Sequence, residues 1–370
     1  MNVLATFLAG NALLLCLSWV VMNRKSLPRR SMLGIHRLLA WLLRCKWITP
    51  SNVLPLNKNT KPSTEVVAWW KIFELSSVIS GRQKDFKSVV NGFNMFYGFS
   101  VLGEENETSV KKIHFQKKSA GMLFSKPGEK LNSNHSRVIL FCHGGGYCSG
   151  TSTAYRHVGE CLVKNLSGNT HVLIVDYRKV PKYSIIDATE DLLVGWEWLV
   201  QDQGIQSGQI CLVGDSAGGG LVLHLAHMIK KRLNANPSSL VLICPWVDIS
   251  NSSESHDVNN DITFPSRFTM DSCREEILLI SKKTDYKDPE MSSLFLSMDH
   301  LPPMYVCWSK HERLSDDGRN LVKKAKQQNI EVAFEESEYG VHNYPLLPGA
   351  PEFKTSFLKI CQFIETHFRG

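Results

Sequence analysis

The chain has no run of lysine and arginine interleaved with aromatic residues, no internal repeat and no low-complexity tract. The first absence argues against a nucleic-acid surface, which shows itself as a clustered basic face. The others exclude a solenoid and a disordered array. Charge of one sign is also scarce: +7 over 370 residues is modest. No spacing among the ten cysteines fits a zinc site or a disulfide framework. Cys142, Cys211, Cys244 and Cys307 fall in apolar runs, where cysteine behaves as a small hydrophobe, so cysteine usage leaves the redox compartment open. His224 and His227 lie three residues apart without an H-E-x-x-H pattern or a third ligand, and no metal or other cofactor is expected. What remains is 43 % hydrophobic, enough for one large core and one α/β domain with insertions.

The most informative residues present are Gly214-Asp215-Ser216-Ala217-Gly218. They join the apolar run Gln209–Val213 to a long helical pattern. A G-x-S-x-G at a strand-to-helix joint is the pattern of a nucleophile elbow: the turn strains the serine, and flanking glycines relieve the crowding. The helix that follows aims free N–H groups and a positive dipole end at any oxyanion beside it. Alone the motif is weak, because a glycine-rich turn before a helix can be only a tight crossover.

Its context strengthens it. His143-Gly144-Gly145-Gly146-Tyr147 follows Val138–Cys142, a short apolar run that reads as a buried strand. Three glycines expose backbone N–H groups to a substrate oxygen, and an H-G-G-G loop is the usual oxyanion partner of such an elbow. The N–H groups of Gly144, Gly145 and Ala217 are assigned to the hole. His143 is read as ordering this loop, and Asp215 as bracing it by hydrogen bonds. Downstream, the strand patterns Met304–Trp308 and Glu331–Glu335 lead to Ser309–Gly318 and to Gly340-Val341-His342. The acid and the base then sit at the carboxyl ends of neighbouring strands, the edge where ligands meet an open α/β sheet. His342 is placed to take the proton of Ser216.

With these residues the chain resembles the hormone-sensitive-lipase-like branch of the α/β-hydrolases, which includes arylacetamide deacetylases and fungal steryl acetyl hydrolases. The resemblance rests on His143–Tyr147, Asp176-Tyr177-Arg178 with Pro181, Gly214–Gly219 and Gly340-Val341-His342, and spans roughly residues 105–370. It implies an eight-stranded, mostly parallel sheet, a helical cap and cofactor-free carboxylester hydrolysis. It also bears on the acid. The family usually has an aspartate four residues before the first carboxylate of D-D-G, and counting back from Asp316 lands on Glu312. Glu312 is preferred, with Asp316 and Asp317 as rivals that also suit the first turn of the next helix. Asp176 and Arg178 are read as a brace around the site.

Strands are predicted near 110–116, 121–124, 138–142, 172–176, 210–214, 240–244, 304–308 and 332–335. Helices are predicted near 154–164, 186–201, 217–233, 271–281, 317–328 and 352–368. The alternation means a doubly wound sheet with right-handed crossovers. Residues 106–248 and 301–370 are assigned to the catalytic domain, 249–300 to a cap insertion and 23–105 to a juxtamembrane and cap segment that includes Trp69, Trp70 and Phe73. Residues Val3–Met22 are apolar and uncharged, matching the thickness of a bilayer. No lysine or arginine precedes them, so residues 1–22 read as an uncleaved transmembrane anchor and not a signal peptide. Ser31–Trp47 mixes leucine and tryptophan with Arg37, Arg44 and Lys46, which fits an interfacial helix or a cap helix equally. Basic residues after the anchor favour a cytosolic domain; the family and the sequons at Asn106, Asn134, Asn165 and Asn251 allow a luminal one.

The expected protein is a single-pass membrane esterase, placed in the endoplasmic reticulum. It is expected to act through an acyl-enzyme on a lipophilic ester such as an acetylated sterol, with the bilayer as its other partner. A lipase or an acyltransferase would use the same residues. A non-catalytic small-molecule binder of this fold would have lost the base, whereas Ser216 and His342 are both present.

Overall fold

The computed structural model describes residues 62–80, 85–87, 89–90, 108–115, 119–131, 136–258 and 264–368. The anchor at 1–22, the 31–47 segment, Asn106 and Asn134 lie outside the described residues. Among the described residues no helix is long and apolar enough to cross a membrane.

Eight strands form one sheet: β1 Ser109–His114, β2 Ala120–Ser125, β3 Arg137–Cys142, β4 Thr170–Asp176, β5 Ile210–Asp215, β6 Ser239–Ile243, β7 Met304–Ser309 and β8 Val332–Ser337. Their order is β1-β2-β4-β3-β5-β6-β7-β8. β1 and β2 pair antiparallel, as do β2 and β4; every other pair is parallel. The predicted eight-stranded, mostly parallel sheet is present. β5, β6 and β7 are buried along their whole length. Their sequences read as unbroken apolar runs because helices cover both faces of a parallel sheet. β4 begins two residues before the predicted start, at Thr170, which pairs with Arg137 of β3.

The helices follow the predicted alternation. They are α1 Thr64–Ser80, α2 Arg156–Asn165, α3 Ile185–Glu197, α4 Ala217–Leu233, α5 Glu254–Val258, α6 Arg267–Ser281, α7 Ser315–Gln327 and α8 Pro351–His367. α3 opens on a reciprocal cap between Ser184 and Asp187. α6 starts four residues before its predicted start because the Ser266 hydroxyl accepts the N–H of Thr269. α5 and α6 lie in the long connection between β6 and β7, the stretch that interrupted the strand–helix alternation.

α1 packs on the catalytic body. The indole N–H of Trp69 donates to Pro348 O and that of Trp70 to Tyr339 O, both at 2.9 Å. Phe73 meets Phe264 edge-on at 6.1 Å. Each indole bond contributes about 1 kcal/mol net, and the buried rings add more through the apolar area they remove from water. The helix therefore clasps the loop after β8 and the entry to α6.

Candidate active site

β3, β5, β6, β7 and β8 run parallel, so their carboxyl ends share one edge. Each predicted site residue leaves from that edge. Ser216 follows β5 directly, with φ 54° and ψ −123°. A non-glycine residue held there stores roughly 1–3 kcal/mol of strain, and the surroundings hold it firmly. Its N–H donates to Ile243 O at 2.8 Å, and its carbonyl accepts from Gly219 and Trp246 at 2.9 Å each. Two residues on, a Cβ at Gly218 would run into the carbonyl of Cys142, so only glycine lets α4 start this close to β3.

Asp215 gathers the site. Its carboxylate accepts the Gly144 N–H at 2.9 Å, the Tyr155 hydroxyl at 2.7 Å and the Asn343 side-chain amide at 2.6 Å. Burial pushes its pKa up to about 6, against the pull of Tyr155, Gly144 and the charge of His342. The predicted brace is real and has a cost for one expected donor. The N–H of Gly144 points at Asp215 and the Tyr155 hydroxyl, so it is turned away from the hole. Gly144 is therefore corrected from oxyanion donor to loop anchor. Among the described residues no acceptor takes the N–H of Gly145, Gly146 or Ala217. Gly145 sits at φ 123° and Gly146 at φ 60°, which turns the loop back after Gly144.

His143 orders the loop. Its Nδ1 lies 2.8 Å from Gly144 O, and its ring stacks on Tyr177 at 4.2 Å. Burial, helped by nearby Lys179, pushes its pKa down to about 3, so it stays neutral. Asp176 takes the N–H and hydroxyl of Ser152 at 2.6 and 2.7 Å. Arg178 pairs with Asp187 and Asp191. Both brace the neighbouring loops as predicted.

The residues expected as base and acid, His342 and Glu312, meet on the other side. His342 Nδ1 lies 2.6 Å from Glu312 Oε2, with both side chains buried. The other oxygen of Glu312 accepts the Ser309 N–H at 2.8 Å. Asp316 instead binds the Ser255 N–H and Arg319. Asp317 accepts the N–H groups of Val247 and Asp248 at 2.8 and 2.9 Å and faces His256 at 3.6 Å. Of the three carboxylates weighed, only Glu312 reaches the histidine.

One residue joins the halves. Asn343, next to His342, donates its side chain to Asp215, next to Ser216, and its backbone N–H to Cys244 Sγ at 3.2 Å. The nucleophile turn and the base loop are thus hydrogen-bonded neighbours. Asn343 and Tyr155 escaped the sequence reading, and Asp317, weighed there as a rival acid, instead holds the backbone after β6. Adjacency to His342 was the only local signal for Asn343.

Cys244, Glu312 and His342 offer ligand atoms within 4.8 Å of one another. Burial and the nearby Glu312 push the Cys244 thiol well up. His224 lies buried in α4 with its pKa pushed down to about 4 by burial, away from this edge.

The chain is similar to known hydrolases. A profile of the alpha/beta hydrolase fold family matches residues 139–346. An acetyl-hydrolase of Streptomyces hygroscopicus is 28 % identical over 218 residues, 57 % of this chain and 71 % of that protein. The arylacetamide deacetylase of Rattus norvegicus is 22 % identical over 320 residues, 69 % of this chain and 80 % of that one. Among solved structures, a hormone-sensitive lipase from a metagenome library superposes with a TM-score of 0.71 at 21 % identity, covering 81 % of this chain and 98 % of its own. The chain belongs to the alpha/beta hydrolase fold family.

Proposed function

We propose that this protein is a serine carboxylester hydrolase in which Ser216 is the nucleophile, His342 the base and Glu312 the acid. The observation that carries the reading is the buried 2.6 Å contact between His342 Nδ1 and Glu312, beside a serine held at φ 54°. In this mechanism Glu312 holds the proton on Nδ1 and leaves Nε2 free to take the proton of Ser216. Ser216 Oγ attacks the ester carbonyl. The developing oxyanion is met by the amides of Ala217, Gly145 and Gly146, assisted by the N-terminal end of α4. Collapse releases the alcohol, protonated by His342, and leaves an acyl-serine. Water activated by the same imidazole then frees the acid.

The names of the relatives, acetyl-hydrolase and esterase, support an ester substrate with a short acyl group. The apolar segment at 1–22 supports a membrane anchor and a lipophilic alcohol moiety, with an acetylated sterol as the working choice and the endoplasmic reticulum as the site. A fluorophosphonate probe on the full chain tests the chemistry: wild type is labelled and S216A is not. Labelling that persists in S216A sinks the assignment. A series of nitrophenyl esters from acetate to laurate fixes the acyl length. Protease protection in intact and permeabilised membranes tests the anchor and its side.

A further inference from the structure

Two thiols with no part in the proposed triad meet between the glycine loop and α6. Cys148 Sγ and Cys273 Sγ lie 3.7 Å apart, joining segments 125 residues distant in sequence. Both are buried, Cys148 6 % exposed and Cys273 fully covered. Cys148 belongs to the turn that closes the oxyanion loop. Its N–H and that of Ser149 both donate to Gly145 O at 3.0 Å, and its thiol lies 3.3 Å from the same carbonyl. Cys273 sits on the inner face of α6, between the buried residues Met270 and Ile277. The start of α6 is itself fixed: Ser266 caps it, and the buried Arg313 donates to Pro265 O at 3.1 Å. Two well-held backbones thus deliver one sulfur each to the same point.

We propose that Cys148 and Cys273 form a dithiol–disulfide pair that covalently ties α6 to the oxyanion loop. The oxidant class is a small disulfide such as oxidised glutathione. Cys148, the more exposed thiol, gives up its proton and attacks one sulfur, and one glutathione thiolate leaves and takes a proton. The Cys273 sulfur then displaces the second glutathione from the mixed disulfide. One S–S bond forms in the protein, one is broken in the oxidant, and two small thiols are released. The sulfurs already touch, and bonding needs a further approach of roughly 1.7 Å. Gly145 O keeps both backbone donors when the thiol turns away, so the loop retains its fold.

The oxidised pair ties α6 to the loop that carries the Gly145 and Gly146 amides, proposed to meet the oxyanion, and Ser216 is only 4 % exposed. Oxidation therefore slows turnover of bulky esters more than that of an acetate. This consequence for turnover rests on the esterase reading; the cross-link itself does not.

The test uses the full chain, incubated with oxidised glutathione or with reductant, then alkylated in denaturant and mapped without reduction. The expected result is a peptide pair joining Cys148 to Cys273 in the oxidised sample only. A rise in unfolding temperature of about 5 °C or more should accompany it, because the bond closes a long loop. The rise should vanish in C148A and in C273A, with C148S and C273S as substitutes where alanine impairs folding. Both cysteines alkylated with no joined peptide, a glutathione adduct stopping at Cys148, or an equal temperature rise in the single variants would each overturn the pairing. Fluorophosphonate labelling in both redox states reports separately on the proposed catalytic serine.

Discussion

Ser216 stands at the end of β5, a strand buried along its whole length, whereas His342 follows β8, a rim strand with no buried residue and with Ala333, Phe334 and Glu336 exposed. The two halves of the site are built differently as a result. The Ser216 half, proposed to supply the nucleophile, rests largely on backbone: a strained turn, a glycine that admits the carbonyl of Cys142, and amides of the glycine loop. The His342 half, proposed to supply the base, rests on side chains gathered from afar. Glu312 comes from the loop after β7, Asn343 reaches back to Asp215, and Trp70 of α1 holds the carbonyl of Tyr339. A central strand can fix a residue by its hydrogen bonds alone; a rim strand needs neighbours to do it.

Substitutions on each side sharpen that contrast. The largest effect belongs to S216A, expected to lower kcat on nitrophenyl acetate by about 10⁴-fold or more with the unfolding temperature nearly unchanged. Next is E312Q, expected to lower kcat about 10³-fold, while D316N stays within about threefold. If D316N is the more damaging at equal stability, the acid has been misassigned and the base half is organised around α7 instead. N343A removes a hydrogen bond to a buried carboxylate and should cost about 2–3 kcal/mol in urea unfolding. It should also lower kcat more than it raises KM.

His143 tests the nucleophile half through pH. Its folded pKa of about 3 lies below the unfolded value of 6.5, so the folded state excludes a proton that the unfolded chain binds. Its contribution is fully present above pH 6.5 and is lost as pH falls toward 3, at about 1.4 kcal/mol per unit. Replacing it, as in H143F, should flatten the acid side of the stability curve by about 2 kcal/mol at pH 5. The smallest effect is W70F, which removes one indole donor from the base half for about 1 kcal/mol, or roughly 2–4 °C.

Much of this was legible in the chain. The strands announce themselves because parallel strands buried on both faces must be apolar throughout, and the glycines around Ser216 because no other residue fits the turn. Glu312 was found by counting from Asp316. What the sequence hid was direction. Nothing local tells that the Gly144 amide faces Asp215 and not the substrate, since a peptide flips its N–H with a change in torsion that glycine permits at little cost. Asn343 and Tyr155 were equally silent, because their partner Asp215 lies 128 and 60 residues away. Asp317 read as a helix-start residue, and that is where it lies, yet its carboxylate grips the chain just after β6.

The Asn343–Asp215 bond also has a mechanical meaning. A sheet breathes most at its rim, and the imidazole is carried by rim backbone. The amide fastens that loop to the strained turn that carries Ser216. The backbone between Ser337 and His342 is pinned as well, by Ser309 and Lys310 of the neighbouring strand end and by Trp70.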